Sequence, residues 1–441
     1  MSHVLVHAPA GIYQGYRKDG VDYFHSVEFL DLESRFAPSA PRKFEPTQTF
    51  DAITKRPEEI ALSITAPEDA KNGSDYPVLV YIHGGRFESG THEDPRADGT
   101  ANALQGVVQV QLGYRVGLEG LVPFKGDEPH RYRAIDDCQV GLEWIQRNIE
   151  AFGGDPTNVT LIGQSAGATT ALWLTRKDHY RGGFRRVIAL SPCFPREHFD
   201  ARKNTLRAVL GKPITRKSLE NTSSKRKARA FKWFRTRYIL DMALGPGPLD
   251  TSELADVPLL LASTRDEFYK DQGGMWADKR KDGFFKDWII KKTMLLMGLH
   301  KESYDIWKYE AEKIDKTRLL GRGIGDSTIR RWVAHAGDNA PGKTWMVEFT
   351  KSSKPALHCD ELRYIFGVHA LKDEDALAAS SSKKLNEWIQ SFIRSGVPDG
   401  LPEYKDGHDV LDFNLETGEH QLVQGTLDYI YPAFPMTSDE L

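Results

Sequence analysis

The chain has 441 residues, 40% of them hydrophobic and 27% charged. That composition suits a folded protein with one large core and excludes a disordered chain or a small disulfide-held scaffold. A formal net charge of −3 leaves no global field that would gather nucleic acid or an anionic membrane.

Residues 1–7 lack the basic region and apolar core of a secretory signal. The most apolar stretches, 78–82 and 294–299, are too short to span a bilayer. The three cysteines, Cys138, Cys193 and Cys359, are widely spaced and show no zinc-type pattern, so they read as reduced thiols of a cytoplasmic protein.

In chain order, short apolar runs at 78–82, 107–112, 158–162, 186–190, 257–262 and 344–349 are predicted strands. Their continuous β-branched character suits burial on both faces, hence an α/β fold with a mostly parallel sheet and helices on either side. Between two of them, Leu142, Ile145 and Ile149 mark an amphipathic helix, which Gly153-Gly154-Asp155-Pro156 ends.

The strand pattern fades at 196–250 and 271–337. These stretches read as helical cap insertions in a single domain spanning residues 1–441. The basic run 225–229 reads as a solvated helix face, with an anionic partner as the alternative. Trp233, Trp276, Trp288 and the stretch 294–297 fit either a pocket lining or cap core.

Gly163-Gln164-Ser165-Ala166-Gly167 fits G-x-S-x-G, with an apolar run leading in and a helical stretch leading out. A nucleophile elbow requires that strand–turn–helix context, with small neighbours around a strained serine, and it makes Ser165 the candidate nucleophile. Starting a helix at Ser165 also lets the macrodipole and the Ala166 N–H stabilise negative charge.

Several blocks together resemble the type-B carboxylesterase/lipase family, which includes the cholinesterases and bacterial para-nitrobenzyl esterases. His83-Gly84-Gly85-Arg86-Phe87-Glu88-Ser89-Gly90 is similar to the family's HGGGF-x-x-G, and Gly113-Tyr114-Arg115 to its N-Y-R segment. The block 151–160 matches almost letter for letter. Trp388, Phe392 and the turn at 395–399 resemble the segment that closes the fold. The resemblance extends from about Gly11 to Phe413 and implies an α/β-hydrolase fold with a reduced helical cap.

The resemblance also assigns roles. It implies an oxyanion hole built from the backbone N–H groups of Gly85, Arg86 and Ala166. Arg86 stands where the family has a glycine, which puts the turn's backbone conformation in question. Its side chain either faces the pocket, favouring acid-bearing esters, or points outward.

A serine nucleophile needs a histidine base held by a carboxylate, in the chain order Ser, acid, His. On chemistry alone Asp266 and Glu267 compete, and fourteen histidines leave the base open. The family pattern implies Glu267 as the acid and His358 as the base, with His335 and His369 reading as solvated loop residues. Phe268 replaces the glycine usual after the acid. Cys359, beside the base, reads as a small buried residue. Ser191 either tunes His358 or merely forms its turn.

The expected function is a serine carboxylesterase acting on small to medium esters through a Ser-His-Glu triad, with no cofactor and no metal. Its expected partner is a small-molecule ester, without nucleic acid or a membrane span; monomer and dimer both stay open. A family member without catalysis, or amide or carbamate hydrolysis on the same fold, is the alternative.

Overall fold

A computed structural model describes residues 2–372 and 375–436; the remainder of the expected 1–441 domain, residues 1, 373–374 and 437–441, lies outside that description. The six apolar runs read from the sequence all become strands. They are β5 (Tyr76–Ile82), β6 (Val108–Leu112), β7 (Gly154–Gln164), β8 (Arg186–Leu190), β9 (Leu259–Thr264) and β10 (Thr344–Thr350).

Six further strands escaped the sequence reading: β1 (Ser2–Ala8), β2 (Gly11–Lys18), β3 (Val21–Glu28), β4 (Ala61–Pro67), β11 (Asp409–Asn414) and β12 (His420–Gln424). In β2 the burial alternates residue by residue. Such a half-buried strand leaves no continuous apolar run to find.

Together with a short strand (Thr49–Asp51) beside β2, these make one 13-stranded sheet, with order β1-β2-β3-β4-β6-β5-β7-β8-β9-β10-β11-β12. The block from β6 to β11 is parallel throughout; β1 to β4 and β12 pair antiparallel, and the short strand runs parallel to β2. Alternate residues of a central strand feed opposite cores: Val78, Val80 and Ile82 face one, Leu79 and Tyr81 the other.

The predicted amphipathic helix is α1 (Arg133–Asn148). The chain then turns at Gly153, whose φ is 83°, into β7. Nucleophile-side packing comes from α2 (Ala166–Leu174), buried along its whole length.

The expected insertions are helical. The first holds α3 (Phe199–Leu210) and α4 (Ser224–Arg237). The second holds α5 (Gln272–Asp278), α6 (Phe284–Leu296), α7 (Tyr304–Asp315), α8 (Leu319–Gly325) and α9 (Arg331–Asn339). The last of these is buried from Arg331 to Gly337, so that end of the insertion is core rather than lid.

Within the basic run, Lys225, Ala228 and Arg229 are exposed on α4, as a solvated face requires. The tryptophans depart from both expectations: Trp233, Trp276 and Trp288 are exposed, neither lining a pocket nor filling a core. Met294 and Met297 are buried.

One buried ion pair ties the N-terminal segment to the sheet. Arg115 grips Asp137 of α1 through Nε and Nη2, both at 2.8 Å, and also donates to the Ala37 carbonyl and the Ser39 hydroxyl. Arg115→Ala leaves the Asp137 carboxylate buried and uncompensated, so folding stability should fall by about 3–5 kcal/mol. The midpoint of urea unfolding measures this.

Candidate active site

In a parallel sheet, ligands collect outside the carboxyl ends of the strands where the connections reverse direction. Here β5 leads to β6 on one side while β7 leads to β8 on the other, so the reversal lies between β5 and β7. β5 ends in the glycine turn at His83, and β7 ends at Ser165.

Ser165 has φ 55° and ψ −121°, a conformation that costs on the order of 1–3 kcal/mol and persists only where the surroundings enforce it. The enforcement is visible. The Ser165 N–H donates to the Leu190 carbonyl of β8 at 2.8 Å. A methyl group on Gly163 would lie 2.2 Å from the Gly167 carbonyl oxygen, and one on Gly167 would lie 1.9 Å from the Ile82 carbonyl oxygen. Both motif glycines are therefore steric requirements of strand–helix contact.

The turn after β5 rests directly against Ser165. A methyl group on Gly84 would meet the Gln164 backbone carbonyl at 2.7 Å and Ser165 Cβ at 3.2 Å. Gly85, Arg86 and Phe87 all have positive φ, at 107°, 57° and 59°. Arg86 therefore keeps a left-handed backbone at the glycine position, at a cost of about 1–2 kcal/mol.

Arg86's guanidinium is half exposed and lies 3.7 Å from Glu88, whose carboxylate also pairs with Arg235 of α4 at 2.8 Å. Beneath the turn, the His83 ring stacks on Tyr114 at 4.2 Å, and its Nδ1–H donates to the Gly84 carbonyl at 2.8 Å. Burial lowers the His83 pKa to about 4, so the ring is a neutral prop.

The candidate acid and base lie on the carboxyl side of β9 and β10. One Glu267 oxygen accepts from the Ser191 hydroxyl at 2.6 Å and the Thr264 N–H at 2.9 Å. The other accepts from His358 Nδ1 at 2.6 Å. That bond fixes the proton on Nδ1 and leaves the Nε2 lone pair free to take another.

Asp266 points away, accepting from Arg322 Nη2 at 2.9 Å and the Ala356 N–H at 3.1 Å. His335 is not a solvated loop residue: it is buried in α9, with Nε2 donating to the Phe434 carbonyl at 2.7 Å. His369 lies half buried in a short helix against Tyr364. Cys359 is half exposed rather than buried, and its φ of 72° bends the chain next to the base.

The serine and the imidazole are not yet engaged. His358 Nε2 faces the Gln164 side-chain amide at 3.4 Å, and the Ser165 hydroxyl faces the Cys193 thiol at 3.8 Å. Catalytic hydrogen bonds of unliganded enzymes are often loose in this way. Three neighbours had no role in the sequence reading. Cys193 touches the nucleophile, and the Phe268 ring packs on the His358 imidazole at 5.2 Å. The third is Glu361, buried with both carboxyl oxygens lacking a hydrogen-bond partner among the described residues.

Burial disfavours an imidazolium, yet the charge and hydrogen bond of Glu267 outweigh it and hold the His358 pKa well above its usual value. Burial and the Glu267 charge push the Glu361 carboxyl up to about 8. Among the described residues, no group of three or more His, Cys, Asp or Glu side chains is arranged to hold a metal ion.

The strained serine at a strand-to-helix turn, on a parallel sheet and beside a paired acid and histidine, defines a hydrolase of the α/β-hydrolase class. The family model described as "Carboxylesterase family" matches residues 34–211. Phenmedipham hydrolase from Pseudarthrobacter oxydans is 26% identical, over 90% of this chain and 92% of that protein. The para-nitrobenzyl esterase of Bacillus subtilis is 30% identical over 43% of each. A solved PNB esterase superposes with a TM-score of 0.77 at 21% identity, covering 96% of this chain and 97% of that one. Residues 34–211 thus match the carboxylesterase family model, and the chain is similar to esterases over most of its length.

Glu361 generates a pH prediction. Its folded pKa of about 8 lies above the ordinary 4.5, so the folded state holds the proton more tightly than the unfolded chain. Stability is then greatest below the unfolded value and is lost as pH rises toward and through the folded one. Glu361→Gln removes that loss. Its melting temperature should match the parent at acid pH and exceed it at pH values above the folded pKa, as thermal unfolding across pH measures.

Proposed function

We propose that the chain hydrolyses small to medium carboxylic esters with Ser165 as nucleophile, His358 as general base and acid, and Glu267 as the orienting acid. The observation carrying this reading is the buried 2.6 Å contact between Glu267 and His358 Nδ1 close to a serine held at a strained elbow. The acid keeps the imidazole in the tautomer that accepts a proton at Nε2.

In this reading, rotation of the Ser165 hydroxyl from Cys193 toward Nε2 completes the contact. Ser165 Oγ attacks the ester carbonyl carbon as its proton passes to Nε2, and Glu267 stabilises the imidazolium. The N–H groups of Gly85, Arg86 and Ala166 hold the developing oxyanion. The tetrahedral intermediate collapses, His358 protonates the departing alcohol, and the acyl group stays on Ser165. Water, deprotonated by the same histidine, then releases the acid.

Purified protein should turn over a short-chain p-nitrophenyl ester and lose that activity to an organophosphate, with the label on Ser165. Ser165→Ala and His358→Ala should each lower kcat by roughly 10⁴-fold or more, while Cys359→Ala stays active. No turnover and no label would leave a catalytically silent member of the family. An inactive Cys359→Ala with an active His358→Ala would reassign the base.

The oxyanion role of Arg86 rests on its backbone, which glycine also supplies. Arg86→Gly should retain turnover of a neutral ester and gain up to about 1 kcal/mol of stability by removing a left-handed non-glycine residue. Comparing neutral and acid-bearing esters on this variant reads the side chain separately: a lost preference for the acid-bearing ester would show that the guanidinium faces the substrate.

A further inference from the structure

The second insertion carries a surface that neither the core nor the candidate site uses. Trp276 on α5 and Phe284, Phe285 and Trp288 on α6 are between 48% and 86% exposed. Scattered exposed apolar residues are ordinary, but a contiguous aromatic patch marks an interaction surface.

Three of these rings, Trp276, Phe285 and Trp288, are linked into one patch. The Arg280 guanidinium lies 3.9 Å from the centre of the Trp276 ring and 5.4 Å from that of Phe285. Phe285 and Trp288 stack nearly parallel, with centres 6.1 Å apart. On α6, Phe285, Trp288, Lys292 and Leu296 recur at helical spacing and share the outer face, while Ile290 and Met294 are buried on the opposite one.

The charges around the rings are one-sided. Residues 279–292 hold six lysines and arginines against two carboxylates, Asp282 and Asp287. Those two are already paired, with Lys286 and Lys308. A chain of net charge −3 has therefore gathered positive charge around a cluster of exposed aromatic residues.

Exposed aromatic rings bordered by lysine and arginine on a helix match the chemistry of the headgroup region of an anionic bilayer. There the rings enter the boundary with the acyl chains while the cations meet lipid phosphates and carboxylates. A second copy of this chain fits less well, because a two-fold contact sets the patch against itself and brings like charges together.

We propose that the outer face of α5 and α6, formed by Trp276, Arg280, Phe284, Phe285, Trp288 and Lys292, docks the protein reversibly on an anionic lipid surface. The attachment is peripheral, since among the described residues no helix is long and apolar enough to cross a membrane. It does not depend on the catalytic assignment.

Co-sedimentation of the full chain with vesicles tests this, comparing phosphatidylcholine alone with phosphatidylcholine containing phosphatidylserine. The protein should bind the mixed vesicles, and added salt should weaken binding. The double variant Phe285→Ser/Trp288→Ser should lose about tenfold or more in partitioning. Trp233→Ser, which removes an exposed tryptophan on α4 instead, should bind like the parent. All these side chains are on the surface, so turnover of a soluble ester should stay unchanged and report an intact fold.

Three outcomes would overturn the proposal: no binding to the mixed vesicles, equal and salt-insensitive binding to both kinds, or unchanged binding by the double variant. A parent that elutes as a dimer beside a monomeric double variant would assign the face to a second copy instead.

Discussion

The close approach of α2 to β5 is the constraint on which the rest of the site depends. Gly167 leaves no room for even one methyl group against the Ile82 carbonyl, and Gly163 leaves none against the Gly167 carbonyl. With helix and strand pressed together, the connecting residue has to turn sharply. Ser165 absorbs the turn in its backbone, and its side chain is set at the strand ends where the sheet reverses direction. The glycine turn after β5 then lies against the serine, so the elbow and the three left-handed residues of that turn form one packed unit.

Around that unit the electrostatics are those of a buried site. The Glu267 side chain is fully buried, and its carboxyl oxygens accept from a hydroxyl, a backbone N–H and an imidazole. A buried charge is tolerable only when paired and hydrogen-bonded in this way. Glu361 has no such partner among the described residues, and burial together with the nearby Glu267 charge pushes its carboxyl up to about 8.

Much of the site was legible in the chain because local sterics dictate local residues. The elbow demands small residues at fixed offsets from the serine, so Gly163, Ser165 and Gly167 reveal themselves. The six central strands were readable because burial on both faces leaves an uninterrupted apolar run. Strand β2 was not, since its buried side chains alternate with partly exposed ones, and β3 was not, since the polar Asp22, His25 and Ser26 interrupt its apolar residues although they too are buried. The three exposed tryptophans were equally illegible, because a helix's outer and inner faces cannot be told apart until its packing partner is known.

The proposed acid and base show where sequence alone stops. Asp266 and Glu267 are chemically equivalent neighbours, and family resemblance rather than chemistry separated them. The fold separates them physically, turning Asp266 to Arg322 and the Ala356 N–H while Glu267 meets Ser191 and His358. By itself, then, the sequence determined the elbow and the central strands, because those follow from contacts between near neighbours and from periodicity. Only the tertiary structure decided that Cys193, Phe268 and Glu361 surround Ser165, His358 and Glu267, that Arg86 holds a left-handed turn, and that an aromatic, basic face is left uncovered. Each of these depends on which distant segments pack together, and that is set by the whole core.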